Sequence, residues 1–235
     1  MAIAERRVLA DPTRVALAAA ELVATAAAEA VQARGVFRVA LSGGRSPEAT
    51  YHLLASPEFR ERVSWPRVHI LFADERDAPP TEPESNYWLI RKLLVEPAGI
   101  PPQHVYRMKA DATDLEAAAR AYEENLAAPL DLLLLGVGED GHIASLFPGS
   151  RLVRESERRA GAVHDSPKPP PRRLTITPRV LSEARRVLVL ATGAAKAEAV
   201  RKALAATGDP SDCPARLVRE ADWIVDAAAS ARVGR

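Results

Sequence analysis

The stretch Leu132–His142 reads LLLLGVGEDGH: an apolar run, then a glycine-rich turn that carries an acid and an imidazole. A short apolar run bounded by glycines is consistent with a strand buried on both faces, as in a parallel sheet. The turn also matches G-x-G-x-x-G, the pattern of dinucleotide-binding loops. Either the glycines cradle a cofactor, or they leave room for Asp140 and His142 to act chemically.

On both sides of this stretch the chain alternates between strand-like and helix-like segments. Such alternation predicts an α/β fold, a Rossmann-like three-layer sandwich with a mostly parallel central sheet. No repeat or long linker divides the chain, so we expect one α/β domain over 1–235. The predicted strands are 36–41, 68–73, 132–135, 174–177, 186–191 and 223–225. The predicted helices are 12–34, 47–55, 85–94, 113–126, 194–206 and a short one from Thr177-Pro178.

Composition narrows the class of protein. The chain has 235 residues with a net charge of +1, which favours neither nucleic acid nor a membrane surface as a partner. Cys213 is the single cysteine, which excludes an internal disulfide and fits a reducing compartment. No signal-peptide core is visible, and no apolar run approaches the ~20 residues of a membrane span. We therefore expect a cytoplasmic protein, either a monomer or a small homo-oligomer.

The dinucleotide interpretation requires a long helix after the third glycine and an acid at the end of the next strand. Here Pro148-Gly149 ends any helix within two turns, and Glu155 and Glu157 lie in a charged segment without strand character. The sequence therefore favours the second interpretation, and we expect no cofactor and no metal ion.

Asp140 and His142 lie two residues apart where a buried strand ends. Imidazole is the natural proton acceptor near neutral pH, and a nearby carboxylate can fix its tautomer and stabilise its cation. Taken alone, the pair is better explained by Asp140 capping a short helix and His142 being a partly buried hydrogen-bonding residue. Other loops decide between these alternatives.

Several loops that follow predicted strands carry anion-binding groups. Ser42-Gly43-Gly44-Arg45 precedes a helix, so its backbone N–H groups and the helix dipole suit a phosphate. Arg76 follows the next strand, beside Asp74. Lys168 lies among prolines that limit the entropy lost on meeting an anion, and Lys196 opens a helix, where a cation is unfavourable unless an anion lies close. In a parallel sheet these loops share one edge, which predicts a pocket for a small phosphorylated molecule.

The motifs, taken together and in order, resemble those of 6-phosphogluconolactonases. They are LSGGRSP from 41, FADER from 72 with SNY from 85, GVGEDGHIASLFPG from 136, SPKPP from 166 and TGAAKAEAV from 192. The resemblance implies a Rossmann-like fold without a nucleotide, shared with glucosamine-6-phosphate deaminases and isomerases. It also implies hydrolysis of 6-phospho-D-glucono-1,5-lactone to 6-phosphogluconate in the pentose phosphate pathway.

The same resemblance implies roles for single residues. His142 corresponds to the general base that activates water, and Asp140 to its support. Arg76 and Lys168 correspond to phosphate anchors, and Ser42, Gly43 and Gly44 to a sugar-phosphate loop. Lys196 corresponds to a phosphate contact and Asp74 to a proton-transfer carboxylate, both best known from the deaminases. Two residues depart from the family pattern: Ile143 replaces a frequent Thr, and Arg45-Ser46 replaces a frequent Ser-Thr.

Two other functions remain open from the sequence. An aldose-ketose isomerase or deaminase of amino-sugar phosphates would carry Asn-Glu-Pro where this chain has Leu146-Phe147-Pro148, so the extra acid is missing. A non-catalytic sugar-phosphate sensor attached to DNA binding would need a basic or helix-turn-helix segment. The first predicted helix is rich in alanine and has few basic residues.

Overall fold

The computed structural model describes residues 5–234, so residues 1–4 and 235 of the predicted domain lie outside it. The strands are β1 (Arg6–Leu9), β2 (Phe37–Leu41), β3 (Val68–Phe72), β4 (Asp74–Arg76), β5 (Leu132–Gly136), β6 (Ala160–Val163), β7 (Arg173–Ile176), β8 (Val187–Ala191) and β9 (Asp222–Asp226). The α-helices are α1 (Pro12–Arg34), α2 (Arg45–Ala55), α3 (Pro57–Arg60), α4 (Asn86–Ile90), α5 (Glu96–Ala98), α6 (Leu115–Glu123), α7 (Pro178–Glu183), α8 (Ala197–Leu204) and α9 (Ala227–Ser230). A π-helical segment, Arg91–Val95, joins α4 to α5, and 3-10 turns occur at Trp65–Arg67, Pro102–His104, Glu124–Leu126, Arg151–Arg154, Ala194–Lys196 and Pro214–Val218.

Within residues 5–234, six strands form one parallel sheet in the order β1-β9-β8-β5-β2-β3. Its central strand β5 is buried on both faces, and Leu132, Leu133, Leu134 and Leu135 have no exposed surface. Helices flank the sheet, and α1 and α2 pack side by side against its strands. The predicted α/β fold with a mostly parallel sheet is confirmed.

Helix α1 has the predicted bounds, and its caps explain them. The Asp11 side chain accepts a hydrogen bond from the Arg14 amide, and Pro12 occupies the first turn. Gly35 ends the helix in the left-handed conformation with φ 79°. By length and composition alone α1 could cross a membrane, which corrects the expectation that no apolar run nears that length. However, 61% of its most apolar window is buried, as in the core helix of a folded domain.

A second, three-stranded antiparallel sheet, β4-β7-β6, occurs in the described residues and was not predicted. The strand predicted at 174–177 belongs to this sheet rather than to the parallel one, because β7 pairs with β4 and β6. The sequence analysis placed β4 and β6 in loops, since their charged, proline-rich or glycine-containing surroundings hide short strands. It also missed the edge strand β1, in which Arg6 and Arg7 interrupt the apolar pattern.

Three predicted helices begin or end elsewhere. The second starts at Arg45 with Gly44 as its N-cap, two residues before the predicted start at Pro47. Asp114, rather than Thr113, caps α6 by accepting a hydrogen bond from the Ala117 amide. The segment predicted as helix 194–206 opens with a 3-10 turn before α8. Helix ends depend on individual capping bonds, which periodicity does not reveal.

Candidate active site

The predicted site loops meet at the carboxyl edge of the parallel sheet. Strands β8, β5, β2 and β3 are neighbours in that order, so the loops after them are neighbours too. These loops contribute the walls of a cavity of about 400 Å³, a volume typical of small-molecule sites. Its lining includes the predicted residues Ser42, Gly43, Gly44, Arg45, Asp74, Arg76, His142, Lys168 and Lys196. Lys168 comes from elsewhere, because its loop joins β6 to β7 of the small sheet.

His142 lines this cavity, and its imidazole is hydrogen-bonded to Asp140, an exposed residue outside the cavity lining. The distance from His142 Nδ1 to Asp140 Oδ1 is 2.5 Å, and the same oxygen accepts the His142 amide at 3.3 Å. An ionised carboxylate can only accept, so the proton of the neutral imidazole lies on Nδ1 and the lone pair on Nε2. The imidazole also packs against the Phe147 ring, with centroids 4.6 Å apart. The pair thus presents a fixed proton acceptor to the cavity.

Asp140 is held in its charged form. Burial favours protonation of the carboxyl, but the hydrogen bond from His142 and the nearby charge of Lys168 outweigh this effect, so the pKa of Asp140 lies below its usual range. Lys168 Nζ is 3.6 Å from Asp140 Oδ1. The carboxylate therefore links the imidazole to one of the predicted phosphate anchors.

The cationic side chains around the cavity have few carboxylate partners. Arg45 lies 3.9 Å from Glu139 across an exposed gap, and Arg76 donates to the Glu84 carbonyl at 2.9 Å. Burial lowers the pKa of Lys196, and Lys168 and Arg45 lower it further against the opposing charge of Glu139. Cations brought this close repel one another, and a bound anion would relieve that repulsion.

The Ser42 loop adds backbone and hydroxyl groups to the wall of the cavity, beside the cationic side chains. Among residues 5–234, the Ser42 hydroxyl has no hydrogen-bond partner, although Ser42 is only 4% exposed and lines the cavity. Gly44 caps α2 with φ 101°, a conformation that other residues rarely adopt. Ser46 Oγ lies 3.0 Å from Thr192 Oγ1, which ties this loop to the loop after β8.

Asp74 lies at the cavity inside a hydrogen-bonded network. Ser145 Oγ donates to its Oδ2 at 2.7 Å, and Asn86 Nδ2 donates to its Oδ1 at 3.1 Å. Arg173 Nη1 is 4.0 Å from Oδ2. The predicted proton-transfer role of Asp74 stays a prediction, and its surroundings equally suit a carboxylate that orders the site.

Some cavity residues were missed by the sequence analysis. Arg173 is 5% exposed and lines the cavity, but in the sequence it is one of two arginines before a strand. Thr192 contributes its hydroxyl bond to Ser46, and Ala144 adopts a left-handed φ of 48° at the wall. The adjacent-arginine pattern was the one available signal for Arg173, whereas Thr192 and Ala144 lie within motifs whose other residues were singled out. Among the described residues, no cluster of His, Cys, Asp and Glu could hold a metal ion.

Comparison with known proteins extends these observations. A profile of the family described as "Glucosamine-6-phosphate isomerases/6-phosphogluconolactonase" matches residues 10–225. The chain is 37% identical to a 6-phosphogluconolactonase of Streptomyces coelicolor, over 96% of this chain and 93% of the relative. It is also 37% identical to the 6-phosphogluconolactonase of Mycobacterium tuberculosis, over 95% and 96% of the two chains.

Solved structures agree with the sequence matches. A 6-phosphogluconolactonase from Trypanosoma cruzi superposes with a TM-score of 0.85 at 26% identity, covering 99% of this chain and 97% of the other. A 6-phosphogluconolactonase from Thermotoga maritima gives a TM-score of 0.80 at 28% identity, covering 95% and 99%.

Proposed function

The chain belongs to the glucosamine-6-phosphate isomerase/6-phosphogluconolactonase family, and from this we propose that it hydrolyses 6-phospho-D-glucono-1,5-lactone to 6-phospho-D-gluconate. It is an enzyme of the 6-phosphogluconolactonase type, acting in the pentose phosphate pathway. The observation that carries the proposal is the His142–Asp140 pair, whose imidazole lines a cavity that also collects cationic side chains.

In this proposal His142 is the general base. Its Nε2 takes a proton from a water molecule, whose oxygen attacks the lactone carbonyl carbon. The ring ester bond then breaks, and the proton passes from the imidazolium to the departing ring oxygen. Asp140 holds the imidazole in the required tautomer and stabilises the cation that forms. General-base catalysis typically contributes about 10²–10⁴-fold, which suits an activated ester.

The phosphate of the substrate would be held by the cavity cations. Arg76, Lys168, Lys196 and Arg45 line the cavity together with the amide groups at the start of α2. Since the phosphate does not change during the reaction, these contacts stabilise ground and transition states alike. They therefore govern KM rather than turnover.

The deaminase alternative fits the site less well. Deamination of amino-sugar phosphates would need a further acid near the imidazole, yet the Phe147 ring packs against His142 at that position. Release of ammonia from glucosamine 6-phosphate would establish the deaminase activity. We expect none.

Further aspects of the proposal concern the cellular setting. We place the enzyme in the cytoplasm, as a monomer or small homo-oligomer with neither nucleic acid nor membrane as partner, and take 1–235 as one domain. The buried free thiol of Cys213 suits a reducing compartment. A continuous apolar core, which runs from α1 to β9, supports one domain. Size-exclusion chromatography with light scattering measures the oligomeric state.

The test of the activity is proton release from freshly prepared 6-phosphogluconolactone, followed in weakly buffered solution with a pH indicator. The spontaneous hydrolysis of the lactone, measured without enzyme, is subtracted. The proposal predicts proton release well above this background at catalytic enzyme concentrations. Release at the background rate, together with intact binding of 6-phosphogluconate, would instead favour the sensor alternative.

A further inference from the structure

Lys168 lies on a proline-rich loop that has few backbone hydrogen bonds of its own. Residues 166–171 read SPKPPP, and proline has no N–H group, so the loop offers many carbonyl acceptors and few donors. Its internal bonds come from Ser166. The Ser166 amide donates to Pro171 O at 2.9 Å, and its hydroxyl donates to Lys168 O at 2.8 Å. The Lys168 ammonium needs another source of order.

The missing donors come from Arg173, the first residue of β7. Its Nη2 donates to Lys168 O at 3.0 Å and to Pro169 O at 2.9 Å, and its Nε donates to Pro170 O at 3.1 Å. A planar guanidinium with fixed donor directions matches three consecutive carbonyls in a way that a single ammonium cannot.

The guanidinium itself is held firmly from its other sides. Nη1 is 3.5 Å from Ser145 Oγ and 4.0 Å from Asp74 Oδ2, so the buried charge has a counterion. The Phe147 ring centroid lies 5.5 Å from Arg173 Cζ, within the range of a cation–π contact. Although Arg173 lines the cavity, its nitrogens are committed to protein oxygens, which leaves it poorly placed to bind substrate directly.

We propose that Arg173 is a positioning residue: it fixes the carbonyls of Lys168, Pro169 and Pro170 so that the Lys168 ammonium stays beside Asp140 and reaches the phosphate of the substrate. This inference rests on the proposed function for the identity of the phosphorylated ligand. The inference also assigns a role to the buried cluster of Asp74, Ser145 and Arg173. Asp74 balances the positive charge of the Arg173 guanidinium, and that guanidinium orders the Lys168 loop.

The test is a double-mutant cycle between R173K and K168A. R173K keeps a positive charge opposite Asp74 but loses the guanidinium hydrogen bonds to the carbonyls of residues 168–170. We expect R173K to raise KM about tenfold with kcat nearly unchanged. This is the result expected when a variant loses binding energy equally in the ground state and the transition state. In the K168A background, R173K should add almost nothing to KM. The matched control is R172K, because the neighbouring Arg172 donates instead to Ala112 O and Thr113 O, and its KM should equal that of the wild type.

The outcomes separate the roles that Arg173 could have. Additive effects of R173K and K168A on KM would overturn the proposal and point to direct substrate contact. An equal loss of kcat and thermal stability in both backgrounds would overturn it in favour of a purely structural role. If R173K is too unstable to assay at the usual temperature, the same cycle is measured at a lower temperature at which R173K is folded.

The same cycle is measured with the Kd of 6-phosphogluconate by calorimetry, which needs no turnover. If the wild type fails to hydrolyse the lactone but binds this sugar phosphate, the proposed activity is wrong. The coupling between Arg173 and Lys168 then still appears in Kd when the positioning role is correct. Independent effects on Kd would contradict the positioning role alone.

Discussion

Gly138 lies so close to the His142–Asp140 pair that the site has no room for a side chain at this position. A Cβ atom at Gly138 would lie 2.1 Å from His142 Nδ1 and 2.5 Å from Asp140 Oδ1. Such distances are far inside van der Waals contact, so any side chain here must displace the imidazole or the carboxylate. This explains the second glycine of the turn without a nucleotide: it makes room for the Asp140–His142 hydrogen bond.

Gly138→Ala should therefore lower kcat about 100-fold or more, the contribution expected of a positioned general base. Its melting temperature should change little, because the affected groups lie at the cavity rather than in the apolar core. The matched control is Gly136→Ala, where a Cβ would meet no atom closer than 3.9 Å. If Gly138→Ala kept wild-type turnover, the hydrogen-bonded pair would not be needed for catalysis.

At the scale of elements, strand order explains which sequence predictions succeeded. The apolar runs predicted the main strands, and their parallel arrangement placed the following loops at one edge. The small antiparallel sheet escaped prediction because β4 and β6 have three and four residues, too few for a periodic signal. Arg173 was missed for a different reason, because its hydrogen bonds to the Lys168 loop are side-chain contacts that the sequence pattern does not show.

Most of the predicted residues line the cavity, whereas most of the bonds between them were not predicted. Asp140 and His142 lie two residues apart, so their contact is local and the sequence suggests it. The approach of Lys168 to Asp140, in contrast, joins residues from two different sheets. The Ser46–Thr192 contact likewise spans 146 positions of the chain. Side-chain contacts over such separations depend on tertiary packing, which pattern and propensity do not encode.

At the amino ends of the parallel strands, away from the cavity, side-chain contacts stabilise the fold. Asp131 precedes β5, and its side chain is 5% exposed. Its Oδ1 accepts from Arg34 Nε at 2.8 Å, and its Oδ2 accepts from the Arg38 amide at 2.8 Å. This carboxylate joins α1, β2 and β5 at the amino edge, far along the strands from the cavity. A substitution of Asp131 should therefore lower the stability of the fold without changing catalysis.

We expect Asp131→Asn to destabilise the protein by about 1–3 kcal/mol, because an amide has a single oxygen and leaves one partly buried donor without its acceptor. For a chain of this size, the melting temperature should fall by about 2–4 °C per kcal/mol, with KM and kcat unchanged. Calorimetry measures the melting temperature, and the lactone assay measures KM and kcat. Asp212→Asn, at an exposed position, is the control. A raised KM without loss of stability would contradict this division between the two edges.

At the scale of the whole molecule, the fold brings reactive side chains from distant parts of the sequence to one hexose-sized cavity. Loops that begin near residues 42, 74, 136 and 192 converge because their strands are parallel neighbours, and the small sheet adds Lys168 and Arg173 from the side. The His142 imidazole then lines the same cavity as the cations proposed to bind the phosphate. In the proposed function, the activity depends on this convergence rather than on any one motif.

The most direct test of this account is stopped-flow proton release from 6-phosphogluconolactone by the His142→Asn variant, with the Kd of 6-phosphogluconate measured in parallel. We expect kcat to fall about 100-fold or more after correction for spontaneous hydrolysis, while Kd stays close to the wild-type value. His164→Asn, at an exposed histidine outside the cavity, should behave like the wild type. Wild-type kcat in His142→Asn would contradict the assignment of His142 as the general base.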